Sequence, residues 1–311
     1  MKEGLAIDVR NLVKKFGPKV AVNGVDIQMP YGQVWGFLGP NGSGKTTTIR
    51  MICGLLKTTS GEGTCLGYDI EKESRHIKIR TGYMTQKFSF WGDLTIRENL
   101  EFVARLYQIP SMKQKVDETL ENLGLAHRQN QVADALSGGW KQRLALAAVT
   151  MHGPELLLLD EPTAGVDPQA RRDFWNEIHR LSSNGMTVLV STHYMDEAER
   201  CDKIAYLANG EMITKGTVSD IIDRSGLITF TAEGESVRKM ASAVEGKPGV
   251  EHVAYFGSAL HVSGMNRKLL EGTLKKATMD GMEWTEVRPS LEDSFIALMK
   301  SSGEDTRRHY D

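Results

Sequence analysis

The sequence is short of cysteine, of long apolar runs and of any excess of charge. Only three of its 311 residues are cysteine, and they lie far apart at Cys53, Cys65 and Cys201. Such a small, scattered set excludes a disulfide framework and a cysteine-based zinc site. We therefore interpret these cysteines as small, reduced core side chains of a cytosolic protein.

Long apolar runs are also missing. The most apolar stretches are as short as Leu156–Leu159 and Val188–Val190, whereas a membrane-spanning helix needs about 20 mostly apolar residues. The N-terminal residues Met1–Gly4 lack the apolar core of a signal peptide. We expect any role at a membrane to depend on a partner protein.

Neither sign of charge dominates. Lys and Arg together number 38 and Asp and Glu 40, which gives a net charge of −2. This balance argues against a protein that wraps nucleic acid by charge, and we expect no nucleic-acid partner. Hydrophobic residues make up 40% and charged residues 25%, as in ordinary globular proteins. The length predicts one large and one small domain.

Apolar periodicity separates strands from helices in the larger part of the chain. Alternating residues over 5–30 predict short antiparallel strands, and helical periodicity runs from about 95 to 124. Continuous apolar strands are predicted at Val34–Leu38, Leu156–Leu159 and Thr187–Ser191. Because such strands alternate with helices, we expect a parallel sheet covered on both faces.

The composition changes near Gly216. Shortly before it, Asn209-Gly210 lies between two apolar segments and predicts a type I′ hairpin. Beyond it, the order strand, helix, strand, strand, helix, strand over 227–287 predicts a small ferredoxin-like α+β domain, with a last helix at 291–299. The predicted domains are 1–216, with a helical subdomain at about 87–150, the C-terminal domain 217–300, and a flexible tail at 301–311.

A glycine-rich loop follows the first buried strand. Residues Gly39–Thr46 fit the pattern G-x-x-x-x-G-K-[ST] between a strand and a helix. Glycines let backbone N–H groups turn toward an anion, and a helix start favours negative charge. We predict that Lys45 reaches the β- and γ-phosphates of a nucleotide and that the Thr46 hydroxyl binds Mg²⁺. The predicted nucleotide contacts of this loop are Gly39, Pro40, Asn41, Gly42, Ser43, Gly44, Lys45, Thr46 and Thr47.

Two carboxylates lie where another buried strand ends. The apolar run Leu156–Leu159 leads into Asp160 and Glu161, and Asp160 comes 115 residues after Lys45 (160 − 45). Sheets of α/β proteins bind their ligands at this end of the strands. Asp160 suits Mg²⁺, held through water, and Glu161 suits a general base or a positioner of the attacking water.

A second anion-binding helix start is present at Ser137-Gly138-Gly139, which opens an Ala/Leu-rich helix. A single nucleotide cannot easily use two such helix starts from one chain, so we expect this loop to cover the phosphates held by a second subunit. The stretch Leu136–Arg143 resembles the signature motif of the ABC ATPases. The resemblance extends over about residues 5–220 and implies a P-loop NTPase core with an antiparallel β subdomain and a helical subdomain.

The resemblance implies roles for further residues. Phe16 is similar to the aromatic residue that stacks on adenine, and Gln86 to the Q-loop glutamine that senses Mg²⁺ and the γ-phosphate and touches the membrane partner. Asp167 resembles the D-loop aspartate at the subunit interface, and His193 the switch histidine that contacts the γ-phosphate. The implied cofactors are ATP and Mg²⁺. The implied catalytic residues are Glu161, His193, Gln86 and Lys45; the implied metal ligands are Thr46, Gln86 and Asp160; the further implied nucleotide contacts are Phe16, Ser137, Gly138, Gly139 and Asp167.

The fifth signature position departs from the family pattern. It holds Trp140, where the family usually has Gln. The expected γ-phosphate contacts, the Ser137 hydroxyl and the Gly139 N–H, are kept, so we predict a working site. Two placements are open for Trp140: stacking near the ribose, or packing at the dimer interface.

Three segments resemble the drug- and antibiotic-exporter branch of the family: Glu161–Pro168, Thr192–Glu199 and Ser290–Phe295. In that branch the ATPase is a separate subunit, and two copies of it pair with two copies of an integral-membrane permease. The resemblance implies an exporter ATPase held by its permease at the cytoplasmic face of the bacterial inner membrane. It implies a homodimer or a pairing with a second ABC cassette. We interpret the C-terminal domain as a dimer-stabilising or regulatory module.

Two alternatives stay open. The first is a non-hydrolysing or regulatory cassette, which Trp140 favours and which Glu161 and His193 argue against. The second is one half of a tandem-cassette exporter, whose natural partner is another cassette. A single phosphate loop argues against the two-cassette ABC proteins of translation, and the short gap between the nucleotide motifs argues against the coiled-coil ATPases of DNA repair.

Overall fold

The computed structural model describes residues 3–87, 89–234, 237–278 and 283–301. The chain divides into two units, Met1–Met212 and Ile213–Asp311, close to the boundary that the change in composition predicts. All but the first residue of the predicted tail at 301–311 lies outside the described residues.

The predicted apolar strands lie side by side in one six-stranded sheet. In sheet order, its strands are β10 (Glu211–Gly216), β9 (Lys203–Ala208), β3 (Val34–Leu38), β8 (Thr187–Thr192), β7 (Leu156–Asp160) and β6 (Thr81–Met84). The pairs β9/β3, β3/β8, β8/β7 and β7/β6 are parallel. Between β9 and β10, Asn209 has φ = 47° and Gly210 has φ = 84°, as the predicted type I′ turn requires.

The central sheet is covered on both faces. Successive residues of a strand point to opposite sides. Leu156 and Leu158 of β7 lie in one buried cluster, which also contains Phe37 of β3. Leu157 and Leu159 lie in a second buried cluster. The parallel, doubly covered sheet that the sequence predicts is confirmed.

An antiparallel sheet accompanies the central one. Its order is β2 (Lys19–Pro30), β1 (Leu5–Phe16), β4 (Ser60–Cys65) and β5 (Tyr68–Asp69). The predicted strands over 5–30 are β1 and β2. The sequence did not indicate β4, because Gly61 and Gly63 interrupt any alternation. Glycine is needed there, since a Cβ on either residue would come within 2.4 Å of backbone oxygens of β1.

Helices make up the rest of the first unit. They are α1 (Lys45–Ile52), α2 (Ser74–Arg80), α3 (Ile96–Leu106), α4 (Met112–Asn122), α5 (Gly138–Thr150), α6 (Pro168–Ser183) and α7 (Met195–Ala198). The helical periodicity over 95–124 is split into α3 and α4. The break contains Pro110, which lacks a backbone N–H, flanked by Gln108 and Ser111, each with φ = 52°. Helices α3, α4 and α5 share a buried cluster of their own.

The second unit has the predicted order of elements. After α8 (Val218–Ser225) come β11 (Ile228–Glu233), α9 (Val237–Val244), β12 (His252–Phe256), β13 (Ala259–Gly264), α10 (Arg267–Ala277), β14 (Thr285–Val287) and α11 (Leu291–Ser301). The sheet order is β12-β13-β11-β14 and every pair is antiparallel. This is a ferredoxin-like βαββαβ arrangement. A membrane-spanning helix is absent from the part of the chain that the structure describes.

The three cysteines are buried and form no disulfide. Burial raises the pKa of each thiol, for Cys53 to about 11. A raised pKa keeps a thiol protonated and unreactive, so these side chains act as small core residues.

Candidate functional site

The phosphate loop joins β3 to α1, and three of its glycines have positive φ values that favour glycine. Gly39, Gly42 and Gly44 have φ values of 149°, 82° and 103°. A Cβ at Gly39 would lie 2.0 Å from the carbonyl oxygen of Leu207, and one at Gly44 would lie 2.6 Å from that of Ala21. The backbone of the loop therefore packs directly against neighbouring strands. Gly44 precedes α1, whose first N–H groups receive no side-chain cap.

Two buried polar side chains of this loop suit an anion. Among the described residues, the buried Ser43 Oγ has no hydrogen-bond partner. Lys45 is 4% exposed, and its Nζ donates to the carbonyl oxygens of Gly39 (2.7 Å) and Pro40 (3.1 Å). Burial lowers the pKa of Lys45, although the nearby Glu161 carboxylate opposes this change. An unpaired buried hydroxyl and a buried cation beside a free helix start fit a phosphate group.

Asp160 joins the end of β7 to the start of α1. Its Oδ1 accepts hydrogen bonds from Thr46 Oγ1 (2.9 Å) and from Ser191 Oγ of β8 (2.7 Å). The Tyr83 hydroxyl of β6 lies 3.5 Å from Oδ2. The parallel register of β6, β7 and β8 places these side chains at one edge of the sheet. Thr46 and Asp160, each predicted to bind Mg²⁺, lie in contact there.

Glu161 is the point on which the predicted catalytic residues converge. Its carboxylate accepts a hydrogen bond from Gln86 Nε2 at 2.8 Å. Lys45 Nζ lies 3.3 Å from Oε1, and His193 Nδ1 lies 3.5 Å from Oε2. The structure therefore brings together four residues that come from four separate segments of the sequence.

The backbone of Glu161 is strained. Its φ of 47° lies in the left-handed region, which side chains other than Gly, Asn and Asp rarely adopt. Its N–H points at both the carbonyl oxygen (3.1 Å) and the Oγ (3.0 Å) of Ser191, and these contacts hold the conformation. Backbone strain of this kind concentrates at functional sites.

The donor set at this edge suits a hard cation. Within the described ranges, no group of three or more His, Cys, Asp or Glu side chains is placed to hold a metal ion. The Thr46 hydroxyl and the Asp160 carboxylate offer oxygen at one place, and the Gln86 amide lies beside Glu161. Mg²⁺ typically takes one or two protein oxygens and completes its shell with phosphate oxygens and water, which fits these residues.

The second helix start is built differently. Ser137 is exposed and precedes α5, and its hydroxyl makes no capping hydrogen bond. A Cβ at Gly139 would lie 2.6 Å from the Ala170 Cβ of α6. Among the described residues, no hydrogen bond or ion pair joins Ser137, Gly138 or Gly139 to the Glu161 group. Asp167, predicted at the subunit interface, caps α6 by accepting from the backbone of Gln169 and Ala170.

The other predicted nucleotide contacts are open to solvent. Phe16 is 50% exposed where β1 ends, and Lys14 Nζ lies 5.2 Å from the centre of its ring. Asn41 and Gly42 are exposed, and Thr47 is half-buried.

Sequence reasoning missed the residues that hold these side chains in place. Ser191 bonds both Asp160 and Glu161, although a serine at the end of a strand carries no signal by itself. Glu197 of α7 is fully buried and accepts hydrogen bonds from Thr163 and Thr192. It thereby ties the segment after β7 to the segment that carries His193. A charged residue just after a histidine motif was the available signal.

Comparison with known proteins identifies the family of this chain. The family model described as "ABC transporter" matches residues 22–164. The linearmycin resistance ATP-binding protein LnrL of Bacillus subtilis (strain 168) is 40% identical over 304 residues, 94% of this chain and 97% of that protein. The probable multidrug ABC transporter ATP-binding protein YbhF of Escherichia coli (strain K12) is 45% identical over 217 residues, 69% of this chain. The matched part spans only 38% of YbhF.

A solved structure extends the comparison to the fold. It is the dimeric post-hydrolysis state of an ATP-binding cassette bound to ADP and Pi, and it is similar with a TM-score of 0.62 at 27% identity. The match covers 68% of this chain and 98% of that one. The P-loop NTPase fold is thereby confirmed. The chain belongs to the ABC transporter family, as an ATP-binding subunit.

Proposed function

We propose that this subunit hydrolyses Mg²⁺-bound ATP between two head-to-tail cassettes and that the hydrolysis powers an export permease. The observation that carries the proposal is the convergence of Lys45, Gln86 and His193 on the carboxylate of Glu161. A cation, an amide and an imidazole around one buried carboxylate are the groups that phosphoryl transfer to water requires.

Each of these side chains has a task in that reaction. Glu161 orients the attacking water and takes its proton, which its buried position at the end of β7 favours. Lys45 and the N–H groups of α1 hold the phosphates and stabilise the charge that develops on them. His193 and Gln86 contact the Glu161 carboxylate and so keep it in position to orient the water. Mg²⁺, held by Thr46, Asp160 and Gln86, neutralises phosphate charge when it is bound.

The site needs donors from a second cassette. Ser137 is exposed, and its hydroxyl makes no capping hydrogen bond. Together with the N–H groups of Gly138 and Gly139, it offers hydrogen-bond donors without an acid or a base. A second copy that presents them to the γ-phosphate would complete the site. The similarity to a dimeric cassette with ADP and Pi supports this arrangement. Phe16 would stack on adenine, and Asp167 would lie at the interface.

The export role rests on the relatives. The names of LnrL and YbhF refer to linearmycin resistance and to multidrug transport. With no spanning helix of its own in the described residues, this subunit would act from the cytoplasmic face of the membrane through a permease. The tandem-cassette alternative is supported by YbhF, because the part that matches this chain is only 38% of YbhF and leaves room for a second cassette. The complete set of residues around Glu161 argues against a non-hydrolysing cassette.

The first experiment compares the wild type with Glu161→Gln, which keeps the size of the side chain and removes its charge. We expect Mg²⁺-dependent ATP hydrolysis by the wild type and a rate at least about 10²–10³ lower in the variant. We expect the variant, which binds ATP without turning it over, to form a dimer with ATP in light scattering. Hydrolysis at the wild-type rate by Glu161→Gln would contradict the mechanism. ATP binding without any dimer would contradict the homodimer and favour a different cassette as the partner.

A further inference from the structure

Trp140 is the third residue of α5, at a position where a capping box needs an acceptor. In such a box, the side chain three residues after the cap accepts from the backbone of the capping residue. Helices α3 and α8 of this chain have complete boxes, formed by Thr95 with Glu98 and by Thr217 with Asp220. An indole has a donor and no acceptor, so α5 cannot form one. The Ser137 hydroxyl makes no capping bond either.

The first turn of α5 is held from the side instead. The Trp140 ring is half-buried and packs against the cluster shared by α3, α4 and α5. The guanidinium carbon of Arg128 lies 5.4 Å from the ring centre and that of Arg143 lies 5.0 Å from it. Both distances are within the range of cation–π attraction, and Arg is the cation most often found in it.

These two arginines connect the ring to two different parts of the unit. Arg128 belongs to a short 3-10 turn at Ala126–Arg128, after α4. Arg143 Nη2 pairs with Asp173 Oδ2 of α6 at 2.6 Å. Gln169 Nε2 donates to the other oxygen of Asp173 at 3.0 Å, one turn from the cap that Asp167 makes. The indole therefore lies between the turn after α4 and the start of α6.

We propose that Trp140 is a positioning residue, which fixes the start of α5 through Arg128 and Arg143 and so leaves the Ser137 hydroxyl and the first N–H groups free for a phosphate. The proposal rests on the proposed function. It differs from both placements expected from the sequence, since the ring packs within its own chain. The contacts of the ring with Arg128 and Arg143 use neither the Ser137 hydroxyl nor the N–H groups of Gly138 and Gly139.

Hydrogen exchange tests the positioning without any assumption about activity. In Trp140→Leu, we expect the amides of Lys141–Arg143 to exchange about tenfold faster than in the wild type, because Lys141 N–H donates to the Ser137 carbonyl oxygen in the turn that both cation–π contacts hold. We expect Trp140→Phe, which keeps a ring, to stay within about threefold. Trp91→Leu is the matched control, because Trp91 is 45% exposed and its ring contacts Phe102 in a tilted arrangement, with the ring centres 4.2 Å apart. Unchanged exchange in Trp140→Leu would overturn the proposal.

A double-mutant cycle tests the partner. Arg128→Gln is expected to raise exchange of the same amides by about threefold and Arg128→Lys by less, since lysine keeps the charge. With Trp140→Leu already present, Arg128→Gln should add almost nothing. Full additivity of the two changes would refute the contact. Should Trp140→Leu fail to fold, the Arg128 series and Trp140→Phe still decide the matter.

The functional readout is the ATP concentration that gives half-maximal dimer in the Glu161→Gln background. We expect Trp140→Leu to raise it by about tenfold and Trp140→Gln, which restores a capping-box acceptor, to recover most of the loss. ATP binding to the monomer should not change. An unaltered dimerisation curve would refute the role at the site. If Glu161→Gln with Trp140 intact forms no dimer, while hydrogen exchange in the Trp140 variants responds as expected, the proposed function fails and the positioning role of Trp140 stands.

Discussion

Two helices of the first unit, α1 and α5, begin at glycine-bearing segments without a side-chain cap, and they differ in what surrounds them. The start of α1 has Lys45 in its first turn, and the end of β7 brings Asp160 and Glu161 beside it. The start of α5 has an exposed Ser137 and an indole held from the side by arginines. A free helix start favours an anion in both cases.

The difference teaches where the chemistry of such a site comes from. An uncapped helix start supplies N–H groups that can bind an anion. The segments that follow strands of the central sheet supply the carboxylate, the amide and the imidazole beside α1. No strand end delivers such groups to α5 among the residues described. Under the proposed function, one helix start therefore binds phosphate and takes part in the reaction, and the other only binds phosphate. Substitutions at the start of α1 should therefore affect both ATP binding and hydrolysis, whereas substitutions at the start of α5 should affect hydrolysis alone.

Lys45→Ala should have the largest effect, because it removes a buried cation from the start of α1. We expect ATP binding to the monomer to weaken by about 10² or more and hydrolysis to fall by about 10³. Calorimetric titration and phosphate release measure the two. Near-normal ATP affinity in this variant would mean that the N–H groups alone bind the phosphates, and the contrast with α5 would disappear.

Ser137→Ala should act on the other helix start alone. We expect ATP binding to the monomer to be unchanged and hydrolysis to fall by about 10², since one donor to the reacting phosphate is lost. Ser137→Thr keeps the hydroxyl and should retain most of the rate. A weaker ATP affinity of the Ser137→Ala monomer would show that α5 serves its own chain's nucleotide.

Acid should lower the stability of the region around the end of α5. His152 follows α5 and stacks on Tyr107, the residue after α3, with the ring centres 3.8 Å apart, and burial lowers its pKa to about 4. Because the folded-state pKa lies below the ordinary 6.5, His152 contributes stability above pH 6.5 that is lost as the pH falls toward 4. We expect a loss of up to about 2 kcal/mol at pH 5 relative to pH 8.

Denaturant unfolding at several pH values measures this loss. His152→Phe keeps an aromatic ring on Tyr107 and removes the titration, so its stability should vary less with pH over the same interval. Equal pH dependence of the two proteins would assign the acid sensitivity to another group.

The smallest expected effect concerns capping. Thr95 accepts from the Glu98 N–H and so caps α3, and Thr95→Ala should lower the free energy of unfolding by about 1 kcal/mol. Ser137→Ala should lower it by much less, because the Ser137 hydroxyl caps nothing. Equal losses in the two variants would mean that Ser137 caps α5 in solution and is not reserved for a ligand.

Much of the fold followed from local patterns. The strands β3, β7 and β8 are continuous apolar runs, and Asn209-Gly210 has the turn chemistry of its hairpin. The elements that the sequence did not predict depend on contacts between residues far apart in the sequence. Strand β4 is glycine-rich because it packs closely on β1, and a pattern of side chains cannot reveal a strand that lacks them.

The site divides in the same way. Lys45, Asp160 and Glu161 follow from a loop motif and a strand end. That Lys45, Gln86 and His193 all reach one carboxylate depends on the register of parallel strands, which no single segment encodes. Ser191 and Glu197 support the site from neighbouring segments, and only the assembled sheet makes them partners.

The left-handed backbone of Glu161 has a consequence for selection. A glycine or an asparagine would adopt φ = 47° at lower cost, so a search for greater stability should favour either of them at this position. Both would remove the carboxylate on which Lys45, Gln86 and His193 converge. Selection for robustness and selection for activity therefore favour different residues at position 161. Where glutamate persists there in variants of this protein, it is the chemistry of the site that is being maintained.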